Sequence, residues 1–464
     1  MDKNISLVSC TLYFLPVPMR VPLKFGAQTL EAVTCARVKV SVKGSDGRVV
    51  EGWGETPISV AWVWPSDEPY DKRENILLDF CTSLSQQLPE YINGTGHPIE
   101  LSVDFINSGL EELLERANQD NPSSLAIPHL AGLVCYSAFD IALHDAYGKY
   151  HNISTYETYN SEFMNRDLSE LMEPGDEAVS FKGKYPSDYL KQYTPQMPVW
   201  HLVGGLDPLT EADCDGSEPN DNYPVSLDKW IENDGLTCLK IKLRGNDQDW
   251  DLQRIIDVGD LSLATGVKHL TVDFNCMVYS PTYVDEILDQ LRDNHPAIYD
   301  LILYVEQPFP YDIEAHPIDV SSTSSRKLLL MDESAHDWRY VKMGYELGWT
   351  GVALKTCKTQ SGALLSMSWA RAHDMALMVQ DLTNPMLAQI PHVLLAANCG
   401  TIMGVESNGM QFYPDASLQD LAVHPGIYQR RNGILDLSTL SGPGFGYRIE
   451  EVNRELPEPE AKAL

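Results

Sequence analysis

From Pro198 onward the chain is a succession of short apolar runs, each closing on a polar or charged residue and each followed by a segment of helix length. The runs are PVWHLVGG, TCLKIKL, HLTVDFN, LILYVEQP, LLLMDES, GVALK, ALMVQD and TIMGVESN. From the second run to the eighth their polar ends are Lys242, Asp273, Glu306, Asp332, Lys355, Asp381 and Glu406. Neighbours in this series are separated by between 23 residues (355 − 332) and 33 residues (306 − 273). That spacing suits one strand, one helix and two loops, and eight such units predict a parallel β/α barrel whose active site lies at the C-terminal ends of the strands. Within TCLKIKL the side chains alternate, so Leu239, Ile241 and Leu243 point one way and Cys238, Lys240 and Lys242 the other.

The first 150 residues have a different texture. CARVKVSVKG and VVEGWGE, joined by GSDGR, predict a hairpin, and AGLVCYSAFDIALHDAYGKYHN carries apolar residues at helical spacing, which together make an α+β segment. Residues 151–196 are polar, weakly periodic and punctuated by Gly and Pro, and read as an insertion or linker.

Charge narrows the function. The 464 residues hold 66 Asp and Glu against 34 Lys and Arg, a formal charge of −32, which repels nucleic acid and anionic membranes. The proportions of hydrophobic and charged residues, 43% and 22%, are those of a globular protein. Nine cysteines are scattered with no C-x-x-C pair, the N-terminal stretch lacks the pattern of a secretion signal, and no window approaches the roughly 18 apolar residues of a membrane span. A soluble, cytoplasmic protein acting on a small molecule is expected, assembled as a homo-oligomer.

Asp273, Glu306 and Asp332 close three consecutive strands, which sets three carboxylates side by side on the barrel rim. Acids that close stay ionised only around positive charge, and an all-oxygen set without thiol or imidazole favours Mg²⁺. Lys242 precedes these acids on the second strand and Lys355 follows them on the sixth, so the two amines face each other across the mouth. A lysine acts as a base near neutral pH only if its pKa falls; Lys240, on the same strand face as Lys242, is expected to supply the cation that lowers it. Lys355 and Lys358 in KTCK have a competing reading as a surface pair opening a helix.

The motifs KIK, DFN, EQPF, DES and LKTCKTQSG, in this order and spacing, resemble the enolase superfamily, and within it the muconate lactonizing enzyme-like subgroup. The similarity reaches back to AFDIALHDAYGK and forward to GPGFGY. It implies a modified TIM-type barrel (residues 197–425) covered by an α+β capping domain (1–150) to which a C-terminal segment (426–464) returns, with 151–196 between. It also implies Mg²⁺ on Asp273, Glu306 and Asp332, and acid/base roles for Lys242 and Lys355. Two departures stand out. TYETY follows GKYHNIS where the family has a small glycine-ending loop, and the seventh strand ends in VQD without the histidine of the mandelate racemase-like branch. His373 lies at the wrong end of that strand, and His392 reads as a helix or loop residue.

The resemblance implies removal of the proton α to a substrate carboxylate through an enediolate. With one lysine on each face, racemisation or epimerisation follows, of N-acyl amino acids or dipeptides for example. An acid-sugar dehydratase or a cycloisomerase can use the same parts, and a catalytically silent metal-binding barrel is the third reading, against which the two lysines argue. Substrate contacts are expected from Arg20, Lys24 and Trp62 in early loops, from Asn275 of DFN, and from Asp381, Asn384, Glu406 and Asn408 on the rim.

Overall fold

The computed structural model describes residues 3–25, 28–119 and 121–463. Strands β1 (Ile5–Phe25), β2 (Gln28–Gly44) and β3 (Val49–Ile58) form an antiparallel meander, joined at its outer edge by β13 (Ala461–Ala463), which pairs with β1. Val38, Val40 and Val42 alternate inward along β2 and are fully buried. Two helices pack on this sheet, α1 (Tyr70–Tyr91) and α2 (His129–His151). Contact with α2 is backbone to backbone. A Cβ on Gly52 or Gly54 would collide with the carbonyls of Ala142 or Ala138, so glycine on the strand and alanine on the helix are what let the two approach.

The stretch Ser123–His151 is long and apolar enough to cross a membrane by composition, which corrects the expectation that no window comes near this limit. Its apolar character is instead spent inside the molecule, where 83% of the window is buried against the sheet and the barrel.

Eight parallel strands follow, one for each apolar run: β4 (Gln196–Val203), β5 (Cys238–Lys242), β6 (His269–Asp273), β7 (Ile302–Glu306), β8 (Leu328–Met331), β9 (Gly351–Leu354), β10 (Ala376–Val379) and β11 (Val405–Glu406). They pair in sequence order from β4 to β10, and β11 returns to pair with β4. Between β10 and β11 the Ile402 amide donates to the Leu377 carbonyl at 2.9 Å. Helices α3 (Leu227–Asp234), α4 (Gln248–Thr265), α5 (Pro281–Asn294), α6 (Trp338–Glu346), α7 (Gln360–Ala372) and α8 (Gln389–Cys399) fill the connections. β12 (Ile434–Asp436) adds antiparallel to the start of β4.

The barrel interior changes character along its axis. Trp200, Cys238, Tyr304, Leu330 and Met378 fill the lower layer with apolar side chains. Above them, charged residues take over toward the C-terminal ends. On β5 all five residues are buried, with Leu239 and Ile241 in the core between strands and helices, so the lysine-bearing face of this strand points into the barrel rather than to water.

Residues 151–196 contain only short 3₁₀ turns, yet Tyr156, Tyr159, Met164, Leu168, Leu171, Met172 and Phe181 are buried in the barrel's outer core. The segment is packed, which a free linker is not. A second tie runs from the cap directly to the barrel. Asp140 on α2 accepts from the Ser361 amide (3.0 Å) and hydroxyl (2.6 Å) at the start of α7, and His144 Nε2 lies 2.9 Å from the same hydroxyl. Both α2 groups are fully buried.

Candidate active site

Register alone aligns the rim: Lys242 stands opposite Asp273, and Asp273 opposite Glu306, on adjacent strands. Asp332 follows β8 directly and Lys355 follows β9. β5 and β9 stand four places apart in the ring of eight, which sets Lys242 and Lys355 on opposite sides of the mouth.

The acids and amines form one buried network. The Lys240 ammonium lies 2.6 Å from Glu306, 3.1 Å from Glu406 and 3.2 Å from Asp273. Lys242 donates to Asp273 at 2.5 Å and Lys355 lies 3.1 Å from Asp332. Lys358 donates to the Asp332 carbonyl at 2.6 Å. Lys355 and Lys358 are each only 4% exposed, so the surface-pair reading of KTCK does not hold: α7 begins under the cap, and both amines turn into the barrel.

Several side chains absent from the sequence-based set complete the site. The Gln307 side chain accepts from the amides of Asp332 and Ser334 and from the Ser334 hydroxyl, which fixes the DES turn. Gln380 donates to Glu306 and to the Tyr304 hydroxyl. Glu333 accepts from the Trp62 indole N–H at 2.8 Å, and the Trp62 ring lies 5.1 Å from the Lys355 ammonium. EQP and DES contain Gln307 and Glu333 beside the residues singled out, so adjacency was their only sequence signal. Asn275, Cys276, Gln307 and Thr359 all adopt positive φ around the rim, conformations that non-glycine residues hold only where the surroundings impose them.

Electrostatics departs from expectation in one respect. Burial works against the Lys240 charge, but Glu306, Glu406 and Asp273 outweigh it and raise its pKa well above the ordinary lysine value. Lys240 is thus compensated by three acids and is not a bare cation acting on Lys242. Burial likewise opposes the charge of Lys355, and Asp332 overrides it and raises its pKa. Burial lowers the pKa of Lys358. Among the acids, burial tends to raise Asp273 and Asp332, but Lys242 and Lys240 hold the first down, and Lys355 and Lys358 the second. Glu306 escapes this compensation: burial and then Asp273 push it well above the carboxylate range. Glu333 is pushed up to about 7 by burial and by Asp332 and Asp273.

Among the described residues, no three His, Cys, Asp or Glu side chains are disposed to hold a metal ion as they stand, because ammonium groups interleave with the acids. Two observations nevertheless fit a divalent cation. Lys240, Lys242, Lys355 and Lys358 face Asp273, Glu306, Asp332, Glu333, Asp381 and Glu406, all buried, and burial with neighbouring acids drives Glu306 and Glu333 toward the neutral form, a penalty that a divalent cation would relieve. In addition Asp332 Oδ1, Glu333 Oε2 and both polar atoms of Asn275 are buried without a hydrogen-bond partner, an arrangement that calls for a ligand.

The cap closes the mouth. A cavity lined by Leu23, Phe25, Leu30, Ser59 and Trp62 from above and by Lys240, Lys242, Asp332, Lys355, Asp381 and Glu406 from below leaves about 40 Å³ for the centres of water-sized molecules. Of the expected substrate contacts, Trp62, Asp381 and Glu406 line this cavity, while Arg20, Lys24, Asn275, Asn384 and Asn408 do not. Arg20 is held away from it by a two-pronged pair with Asp221 (2.7 and 2.8 Å) and a bond to the Pro224 carbonyl. The Lys24 carbonyl accepts from the Gly205 amide. Asn384 and Asn408 support Asp381 through their backbone amides. His373 closes α7, where its Nε2 accepts from the Gly175 amide, and His392 lies within α8. Neither reaches the cavity.

The molecule is thus an eight-stranded β/α barrel with acids and lysines interleaved at its C-terminal rim, under an α+β cap. Residues 224–453, just under half of the chain, match the family described as Enolase C-terminal domain-like, and this part of the barrel belongs to it. Among similar solved structures is the N-succinyl Arg/Lys racemase from Bacillus cereus, with 16% identity over 98% of this chain and 100% of that one and a TM-score of 0.60. A second is a dipeptide epimerase from Enterococcus faecalis, complexed with Mg and the dipeptide L-Leu-L-Tyr (15%, 95% and 99%, 0.60). A third is the muconate lactonizing enzyme from Pseudomonas fluorescens, complexed with muconolactone (16%, 95% and 96%, 0.59). At these identities the likeness is one of fold. No curated protein matches the sequence.

Proposed function

We propose that the protein is a Mg²⁺-dependent racemase or epimerase acting α to a carboxylate. The observation that carries this reading is the pair Lys242 and Lys355, buried on opposite sides of the barrel mouth and flanking three acids on consecutive strands, Asp273 and Glu306 in register and Asp332 just past the end of β8. Asp273, Glu306 and Asp332 would hold the metal, which supplies positive charge to the substrate carboxylate and acidifies the neighbouring C–H bond.

The chain's own groups do the rest. Lys240 holds Glu306 and Asp273 in place from below while Gln380 fixes the remaining Glu306 oxygen. Lys242 and Lys355 exchange protons with opposite faces of the substrate carbon. Asp332 is what holds Lys355 protonated against burial and the charge of Lys240, so Lys355 would be a usable base with the Asp332 charge offset by a bound cation. Closure of Trp62 and the β1–β2 hairpin keeps water from the carbanion-like centre.

Turnover of N-acyl amino acids and dipeptides in D₂O, followed by NMR, tests the reaction. Deuterium should enter the α-carbon, and Lys242→Ala or Lys355→Ala should each block inversion. Full activity in Lys355→Ala removes the two-lysine mechanism. Formation of a keto acid without inversion moves the assignment to elimination, in which one lysine is the base.

A further inference from the structure

Asp381 just past β10 and Glu406 at the end of β11 are acids in the wall of the cavity. Every Asp381 and Glu406 carboxylate oxygen already has a donor from the protein. Asp381 Oδ2 accepts from the amides of Asn408 (2.8 Å) and Asn384 (3.2 Å), and its Oδ1 from the Asn408 side chain (3.1 Å). Glu406 accepts from Asn408 at 2.6 Å and from Lys240 at 3.1 Å. Asp381 Oδ2 already takes two donors, and a guest ammonium would compete with Asn408 and Lys240 for the lone pairs left on the other three oxygens. The Thr383 hydroxyl is similarly engaged, with the Leu382 carbonyl and the Tyr413 hydroxyl.

Toward the cap the cavity wall is apolar apart from Ser59 and the Trp62 indole. Leu23 and Leu30 pair across the β1–β2 hairpin and face the mouth with Phe25, Leu202 and Leu382. All but Phe25 are under a tenth exposed. The 40 Å³ left for the centres of water-sized molecules lies beneath these side chains, so the substituent of a ligand held at the rim lies against them.

Taking the reaction proposed above as the starting point, we infer that the substrate is a carboxylate whose remaining substituent is uncharged and apolar. An ammonium tail there meets leucines and acids that already hold protein donors. A polyhydroxylated tail loses its water against five apolar side chains and finds few partners in exchange.

Calorimetry in the presence of Mg²⁺ tests this with a matched set: N-acetyl-L-alanine, N-acetyl-L-norleucine, N-acetyl-L-lysine and gluconate. Affinity should rise by about fourfold for each methylene added between the alanine and norleucine derivatives. The lysine derivative and gluconate should bind at least about tenfold more weakly than the norleucine derivative. Leu202→Asp should reverse the norleucine-to-lysine order, and Leu202→Met, which conserves volume, should keep it. Equal or stronger binding of N-acetyl-L-lysine or gluconate, or no binding by any of the four, overturns the inference. Deuterium exchange at the α-carbon is measured separately. The apolar preference without exchange would overturn the reaction and leave the specificity standing, and exchange without the preference would do the reverse.

Discussion

Replacing Lys240 with methionine removes the positive charge on which three buried acids converge and keeps most of the side-chain volume. Glu306, Glu406 and Asp273 lie 2.6, 3.1 and 3.2 Å from its ammonium, and all four groups are at most 2% exposed. Taking away one partner of such a network costs about 3–5 kcal/mol, because the acids must keep uncompensated charge in a poorly solvated interior or take up protons. Three ammonium groups would then face six acids. Without added metal, Lys240→Met should therefore unfold at markedly lower urea concentration than the wild type. Adding Mg²⁺ should restore part of the loss, by about 2.7 kcal/mol at a free concentration one hundred times the dissociation constant, and should stabilise the wild type as well. Urea titrations monitored by tryptophan fluorescence, with EDTA and with Mg²⁺, read both effects without any substrate. Unchanged stability of Lys240→Met in EDTA would refute the view that this ammonium compensates the acids. Stability indifferent to Mg²⁺ in both proteins would refute the metal assignment.

Two other perturbations probe separate parts of the molecule. If Arg20 latches the β1–β2 hairpin through Asp221, with side chains 9% and 32% exposed, then Arg20→Ala and Asp221→Ala should each raise hydrogen exchange in residues 15–25 to a similar degree, for a loss of about 1 kcal/mol; weakened carboxylate binding in Arg20→Ala alone would point to a substrate contact instead. His97 is fully buried, its Nδ1 accepts the Ile99 amide at 3.2 Å, and burial, with His144 and His151, pushes its pKa well below the ordinary value. The unfolded chain therefore takes up this proton first, so stability is level above about pH 6.5 and falls below it by about 1.4 kcal/mol per pH unit for each such histidine. His97→Asn, which keeps an acceptor for the helix start, should flatten that slope by about one proton, and an unchanged slope would contradict the assignment.

The sequence revealed the barrel because seven of the eight apolar runs meet a polar residue at or just past the strand end, a pattern that needs no tertiary information. β1 escaped notice because Pro16, Pro18 and Pro22 interrupt it; its register with β2 shifts between Pro18 and Leu23, where the strand accommodates residues that cannot donate to the ladder. The core role of residues 151–196 was equally hidden, since apolar residues spaced through 3₁₀ turns have neither a helical nor a strand period. At the site, alternation along β5 predicted correctly that Lys240 and Lys242 share a face. It carried no information on how many acids arrive from other strands, and that number sets the charge balance around Lys240. Arg20 shows the same limit, for its partner Asp221 is 201 residues away in sequence.

The clasp between Asp140, His144 and Ser361 makes cap and barrel inseparable as evolutionary parts. Ser361, in the first turn of α7, lies six residues after Lys355 (361 − 355) and is fastened to a helix belonging to the other half of the molecule. A cap transplanted from a distant relative would bring new specificity only if it also brought an acid and an imidazole one helical turn apart, placed to receive that serine. Divergence of this protein is therefore channelled into loops such as the β1–β2 hairpin, which can be rewritten without disturbing the clasp, and recombination between whole domains is a closed route to new activity.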